Sequence, residues 1–112
     1  LTHLKTNRLQ HDVLPGDRFM FLGSTGWIVW NLMIGSLLAG ATVVLSDGNP
    51  TAPNDAALWD FIDQYQVSIF GCGAAFLIKS MKDGVQPSQG RKFEKLRAIN
   101  STGSPLPLDA YA

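Results

Sequence analysis

Residues 19–46, from Phe19 to Ser46, read FMFLGSTGWIVWNLMIGSLLAGATVVLS and carry no charged side chain. The stretch is long enough to cross a bilayer, but its internal order argues against a membrane helix. Gly23 and Gly26 interrupt it early, Gly40 interrupts it again, and Ala41-Thr42-Val43-Val44-Leu45 is strand-like in its β-branched content. Gly35 with Ala39, and Ser36 with Gly40, match the small-residue spacing of membrane helix pairs, yet the same spacing lets a soluble helix lie close on a sheet. The stretch therefore reads as strand, helix, strand: Arg18 to Leu22, Trp27 to Ala39 and Thr42 to Ser46. Ser24 or Thr25 is placed to cap the helix. Because that helix is apolar nearly all round, it is expected to be buried.

Working outward, Leu1, Leu4 and Leu9 fall on loosely helical spacing before Pro15-Gly16 breaks the pattern. Downstream, Asp47-Gly48-Asn49-Pro50 and Pro53 predict a surface loop. Ala57, Leu58, Phe61, Ile62 and Tyr65 recur at helical intervals between Asp55 and Gln66, with Asn54 or Asp55 as the cap. Val67-Ser68-Ile69-Phe70 predicts a third strand, Ala74 to Met81 a helix, Gly84 to Gly90 a mobile loop and Leu96 to Asn100 a fourth strand. Strands alternating with helices imply βαβ units with right-handed crossovers, hence an α/β fold: a parallel sheet with flanking helices. Residues 1–112 are read as one such unit. Three apolar runs end in small polar loops, Gly23-Ser24-Thr25-Gly26, Gly71-Cys72-Gly73 and Asn100-Ser101-Thr102-Gly103-Ser104-Pro105. In parallel neighbouring strands these loops share one rim, where open α/β sheets bind their ligands.

Composition narrows the function. Nine basic and nine acidic residues give zero formal charge, which favours neither nucleic acid nor an anionic membrane as partner. Locally the charges separate. Asp47, Asp55, Asp60 and Asp63 lie in a stretch without Lys or Arg, whereas Lys79, Lys82, Arg91, Lys92, Lys95 and Arg97 face only Asp83 and Glu94. A solvated surface is the main reading of the basic cluster, with a phosphate or partner contact as the alternative. A single cysteine excludes an internal disulfide and suits a reducing cytoplasm. The first residues lack the pattern of a secretion signal. His3 and His11 have no Cys or Glu at metal-ligand spacing, so no metal site is expected. Cys72 has no histidine nearby in sequence, and a buried small apolar role outweighs a nucleophilic one. Neither the Lys-Ser/Thr phosphate loop nor Gly-x-Gly-x-x-Gly after a strand is present.

Three segments acquire meaning in order: Gly23-Ser24-Thr25-Gly26-Trp27-Ile28-Val29-Trp30-Asn31, Gly40-Ala41-Thr42-Val43-Val44-Leu45-Ser46-Asp47-Gly48, and Ser101-Thr102-Gly103-Ser104-Pro105-Leu106. With Leu58-Trp59-Asp60 and Ser68-Ile69-Phe70-Gly71 between them, they resemble the acyl-CoA synthetase branch of the adenylate-forming (AMP-binding) enzymes, above all its acetoacetyl-CoA synthetases. The likeness extends from about His3 to Leu108.

The resemblance implies a flavodoxin-like subdomain within a large N-terminal AMP-binding domain. It implies a two-step ligase using ATP, Mg²⁺ and coenzyme A to convert a carboxylic acid, acetoacetate or another short acid, first to an acyl-adenylate and then to a thioester. On this likeness Gly103, Ser104 and Pro105 lie along adenine, Trp27, Ile28, Val29 and Thr102 shape the acyl pocket, and Gly71, Cys72, Gly73 and Ala74 pass the coenzyme A tunnel. A Gly-Ser-Pro backbone gives a flat ring room to stack, and a tryptophan gives a rigid apolar wall. Relatives carry bulkier residues after Gly-Trp, where this chain has Ile28 and Val29, and hydroxyl residues plus a Lys near Cys72, Gly73 and Ala75, which leaves the acid and the thiol-path contacts open.

The family's phosphate loop, Mg²⁺-binding carboxylate, ribose-binding Asp and adenylating Lys do not occur in residues 1–112. The chain is therefore expected to contribute no catalytic residue, to be inactive alone, to hold no cofactor and to be an excised, cytoplasmic piece. Apolar surface left uncovered in such a piece would let it self-associate. The competing reading is a freestanding flavodoxin-like module binding a nucleotide, flavin or protein partner.

Overall fold

The computed structural model describes residues 1–111. Its centre is a four-stranded, wholly parallel sheet: β1 (Arg18–Phe21), β2 (Thr42–Val43), β3 (Ile69–Gly73) and β4 (Ala98–Thr102). The spatial order is β2-β1-β3-β4. The chain thus steps from β1 to β2 on one side, crosses back to β3 on the other and continues to β4. That reversal makes the β1/β3 boundary the switch point of a flavodoxin-like winding.

Helices cover both faces: α1 (Thr2–Lys5), α2 (Ile28–Gly35), α3 (Ala57–Gln64) and α4 (Ala74–Lys82). Strand alternation decides which face each core residue joins. Phe19, Phe21 and Ile69 pack with Met33, Ala39 and Val13 on the α1/α2 face. Met20, Phe70 and Cys72 pack with Leu58, Trp59 and Ile62 on the α3/α4 face. No helix among the described residues is long and apolar enough to cross a membrane.

Several expectations shift. The N-terminal helix is the short α1 followed by a π-helical turn, Thr6–Gln10, and its fully buried side chain is Asn7 rather than a leucine. Asn7 donates to the Leu32 carbonyl at 3.2 Å. Gly35 serves this contact: an added Cβ there would lie 2.8 Å from His3 Cβ. The expected helix over 27–39 divides into α2 and a 3₁₀ segment, Ser36–Ala39, ended by Gly40 at φ +84°, a conformation that suits glycine. Neither Ser24 nor Thr25 caps α2. Trp27 holds the cap position without a side-chain hydrogen bond.

The burial expected for this helix is also corrected. Met33 and Gly35 are buried, but Leu37 and Leu38 remain exposed, because the sheet covers one side of the helical segment and no element among the described residues covers the other.

Strands β3 and β4 run further than their hydropathy predicts. Gly71-Cys72-Gly73, expected as a loop, pairs residue by residue with Asn100, Ser101 and Thr102. The hydrogen-bond ladder, rather than side-chain character, keeps these small residues extended. Gly71 also lies beneath Phe21: a Cβ at Gly71 would meet ring carbons of Phe21 at 2.2 Å. Helix α4 follows Gly73 without an intervening loop.

The segregated charges meet in space. Lys79 pairs with Asp55 and Asp83, and Arg91 pairs with Asp60 at 2.7 Å. Hydrogen bonding to Asp83 and then Asp55 raises the Lys79 pKa. Arg97 pairs with Asp12 and Asp17. Arg91 also donates to the carbonyls of Gln86, Pro87 and Gln89, fastening the stretch expected as a mobile loop.

Candidate active site

The carboxyl ends of β1, β3 and β4 lie side by side, with Phe21 opposite Gly71 and Gly73 opposite Thr102. Pairing continues one residue past β1, where the Leu22 amide donates to the Gly71 carbonyl at 2.7 Å. Gly23-Ser24-Thr25-Gly26 and Gly103-Ser104-Pro105 therefore rise from the same rim, with the end of β3 between them. Gly73 joins them there as the residue preceding α4.

A cavity of about 1240 Å³ runs along β4 and reaches the α2 side of the rim. Ile28, Val29 and Leu32 line it from α2 and Asn100 and Thr102 from β4, with the polar His3 and Thr6 in the same lining. The tight α2 turn sets this wall: a Cβ on Gly23 would stand 3.0 Å from Val29 Cγ2. Three of the four expected acyl-pocket residues, Ile28, Val29 and Thr102, are thus brought together. Trp27 is not among them. It is 70% exposed and does not line the cavity, while Trp30 packs against the core.

Gly103, Ser104 and Pro105 sit outside the cavity at its end, all exposed. Gly103 has φ +88° and open space where a Cβ would project. A bare, accessible backbone of this kind is open to close approach by a flat group.

The residues expected along the thiol path divide. Gly71, Cys72 and Ala74 are buried, and only Gly73 reaches partial exposure. Burial pushes the Cys72 thiol from an ordinary 9.0 up to about 12, which keeps it protonated and unreactive near neutrality. This is the small apolar role. Among the described residues no group of three or more His, Cys, Asp or Glu is arranged to hold a metal.

Sequence reasoning missed His11 and Asn100 as wall residues. Asn100 Nδ2 lies 3.4 Å from His11 Nδ1, and both line the cavity. Asn100 is recoverable from Thr102 by the two-residue strand period. His11, 89 positions away in sequence, is not.

The AMP-binding enzyme family profile matches residues 2–112. Acetoacetyl-CoA synthetase of Gallus gallus is 37% identical over 111 residues, which is 99% of this chain and 17% of that protein. Its counterpart in Danio rerio is 37% identical over 111 residues, 99% of this chain and 16% of that one. Among solved structures, acetoacetyl-CoA synthetase from Streptomyces lividans superposes with a TM-score of 0.93 at 39% identity, covering 98% of this chain and 17% of that chain. The chain thus spans about one-sixth of the length of these relatives.

Proposed function

Because the chain belongs to the AMP-binding enzyme family, we propose that it supplies the acyl-pocket and adenine-facing parts of an ATP-dependent acid-CoA ligase. The observation that carries this reading is the apposition of the Ile28/Val29/Thr102 cavity wall to the bare Gly103-Ser104-Pro105 backbone. An acid seated against the wall presents its carboxylate at the rim, beside the ring laid on that backbone. In the first step a carboxylate oxygen attacks the α-phosphorus of ATP and pyrophosphate leaves. In the second, the thiol of coenzyme A attacks the acyl carbon and AMP leaves, giving the thioester.

Each residue has a narrow task. Ile28 and Val29 fit the acid's tail by shape, Thr102 bounds the wall near the carboxylate, and Gly103 leaves adenine an unobstructed surface. Gly73, as the accessible member of its set, is the point at which the thiol arm passes. Mg²⁺ enters with ATP as a substrate complex. Acetoacetate or another short acid is the substrate class, drawn from the names of the similar proteins. The cytoplasm, where ATP and coenzyme A are available, is the proposed compartment. Residues 1–112 by themselves are proposed to catalyse no thioester formation.

The test is acid-dependent pyrophosphate exchange and CoA thioester formation by a full-length chain carrying this segment. Thr102→Phe, which fills the wall, is expected to lower kcat/KM for the acid about a hundredfold while leaving KM for ATP within about threefold. Absence of exchange with every short acid would overturn the ligase reading.

A second reading, a nucleotide- or flavin-binding module using the same rim, rests on the flavodoxin-like strand order. A chromophore copurifying with residues 1–112 would favour it. Exposed Ile28, Leu37 and Leu38 further lead us to expect self-association of the isolated segment. Sedimentation as a monomer at high concentration would contradict that expectation.

A further inference from the structure

We infer that buried Asn7 is a positioning residue: it ties the π-helical turn to α2 and so sets how α2 presents its side chains to the acyl cavity. The inference rests on the ligase reading above and concerns a residue that does not itself line that cavity.

Burial alone orients α2 poorly. Residues Ile28–Gly35 are apolar apart from Asn31. The hydrophobic effect has no direction, so a small rotation exchanges one aliphatic side chain for another at little cost. Ile28 and Val29 stand four and three residues before Leu32, which puts all three on one side of the helix, and all three line the cavity. Their presentation therefore needs a directional contact.

Asn7 supplies one. Its side chain is fully buried, and its Nδ2 donates to the Leu32 carbonyl at 3.2 Å. Its own backbone carbonyl accepts from the Val13 amide at 2.8 Å, and Val13 belongs to the core of the same face. Its neighbour Thr6 and, beyond the turn, His11 line the cavity opposite α2's contribution. The residue thus stands behind both linings and joins them. Gly35 permits the approach: a Cβ there would lie 2.8 Å from His3 Cβ and 3.3 Å from Asn7 Nδ2.

Stability does not account for an amide here. Among the described residues Asn7 Oδ1 has no hydrogen-bond partner, and a buried acceptor without a donor is a cost. A leucine of similar shape removes that cost. What it does not supply is the tie to the Leu32 carbonyl, and small misplacements of a substrate-fitting group are expensive in rate.

The test uses a full-length chain carrying this segment, with steady-state kinetics and a denaturant titration on each variant. Asn7→Leu is expected to raise KM for the acid about tenfold, with kcat and KM for ATP within about threefold, while the denaturation midpoint is held or raised. Asn7→His, whose ring Nδ1–H stands as many bonds from the backbone as the amide nitrogen, is expected to recover most of the acid affinity. Gly35→Ala pushes the turn from α2 with Asn7 intact and is expected to give the same selective rise, so it decides the matter if Asn7→Leu does not fold. An acid KM unmoved by these substitutions would overturn the inference and leave the ligase reading standing. So would equal losses for acid and ATP accompanied by a lower midpoint, the mark of a merely structural role. A wild-type that activates no short acid would overturn both readings.

Discussion

The two faces of the sheet hold similar apolar material and finish it differently. On the α3/α4 face, Trp59 is 2% exposed and is ringed by Phe70, Phe76 and Phe93 at centroid distances of 5.8, 5.8 and 6.4 Å. Ion pairs then close the outside, Lys79 with Asp55 and Arg91 with Asp60. On the other face, α2 and the 3₁₀ segment after it bury one side and leave Leu37 and Leu38 in the open. The difference lies in amphipathicity. Helix α3 carries one apolar stripe with acids opposite, so the sheet alone satisfies it, whereas a helix apolar on all sides is satisfied only by cover on both.

The largest expected effect tests that contrast between tryptophans. Trp59→Ala should destabilise the fold by about 4 kcal/mol in denaturant titration, the cost typical of emptying an aromatic core site. Trp27→Ala, at 70% exposure, should change stability by less than about 0.5 kcal/mol. Equal losses at the two positions would erase the distinction between the faces.

An intermediate effect is expected at Arg91, whose side chain is 12% exposed and bonds Asp60 and three loop carbonyls. Arg91→Ala should cost about 2 kcal/mol and open residues 84–90 to limited proteolysis. An unchanged cleavage pattern would show that the loop is held by other contacts.

The smallest effect is chemical. With its pKa raised to about 12, Cys72 should resist alkylation at pH 8 in the native protein and react fully in denaturant. The native thiol keeps its proton where the unfolded one, at 9.0, has lost it, so the native state binds more protons across that interval. Stability should therefore fall as pH rises from about 9 toward about 12. Rapid native alkylation would place Cys72 at the surface after all.

What the sequence made legible follows from periodicity. The strand from Arg18, the strand through Ile69 and Phe70, the helical spacing of Leu58, Phe61 and Ile62, and the parallel α/β class all appear in the structure, although Val67 and Ser68 precede the observed strand. Less legible were features set by partners distant in the chain. Gly71 to Gly73 is extended because β1 and β4 pair with β3, a fact absent from the local string. The loop over 84–90 looks mobile from its Gly, Pro and Ser content, yet Arg91 immediately after it holds its carbonyls. The shared rim was readable from three strand ends, and the family motifs singled out Ile28, Val29 and Thr102, which line one cavity. They gave no hint of His11, whose place beside Asn100 exists only after folding.

The Phe21 ring resting on Gly71 also restricts how this sequence can change. Any side chain added at Gly71 first collides with the ring, while shrinking Phe21 first opens a hole at the centre of the sheet. Each change is harmful alone, and the harm of one is partly relieved by the other, so their costs should not add. A lineage passes between the two arrangements by crossing a fitness valley or by changing both sites together, which makes positions 21 and 71 a matched pair to look for when descendants of this chain diverge.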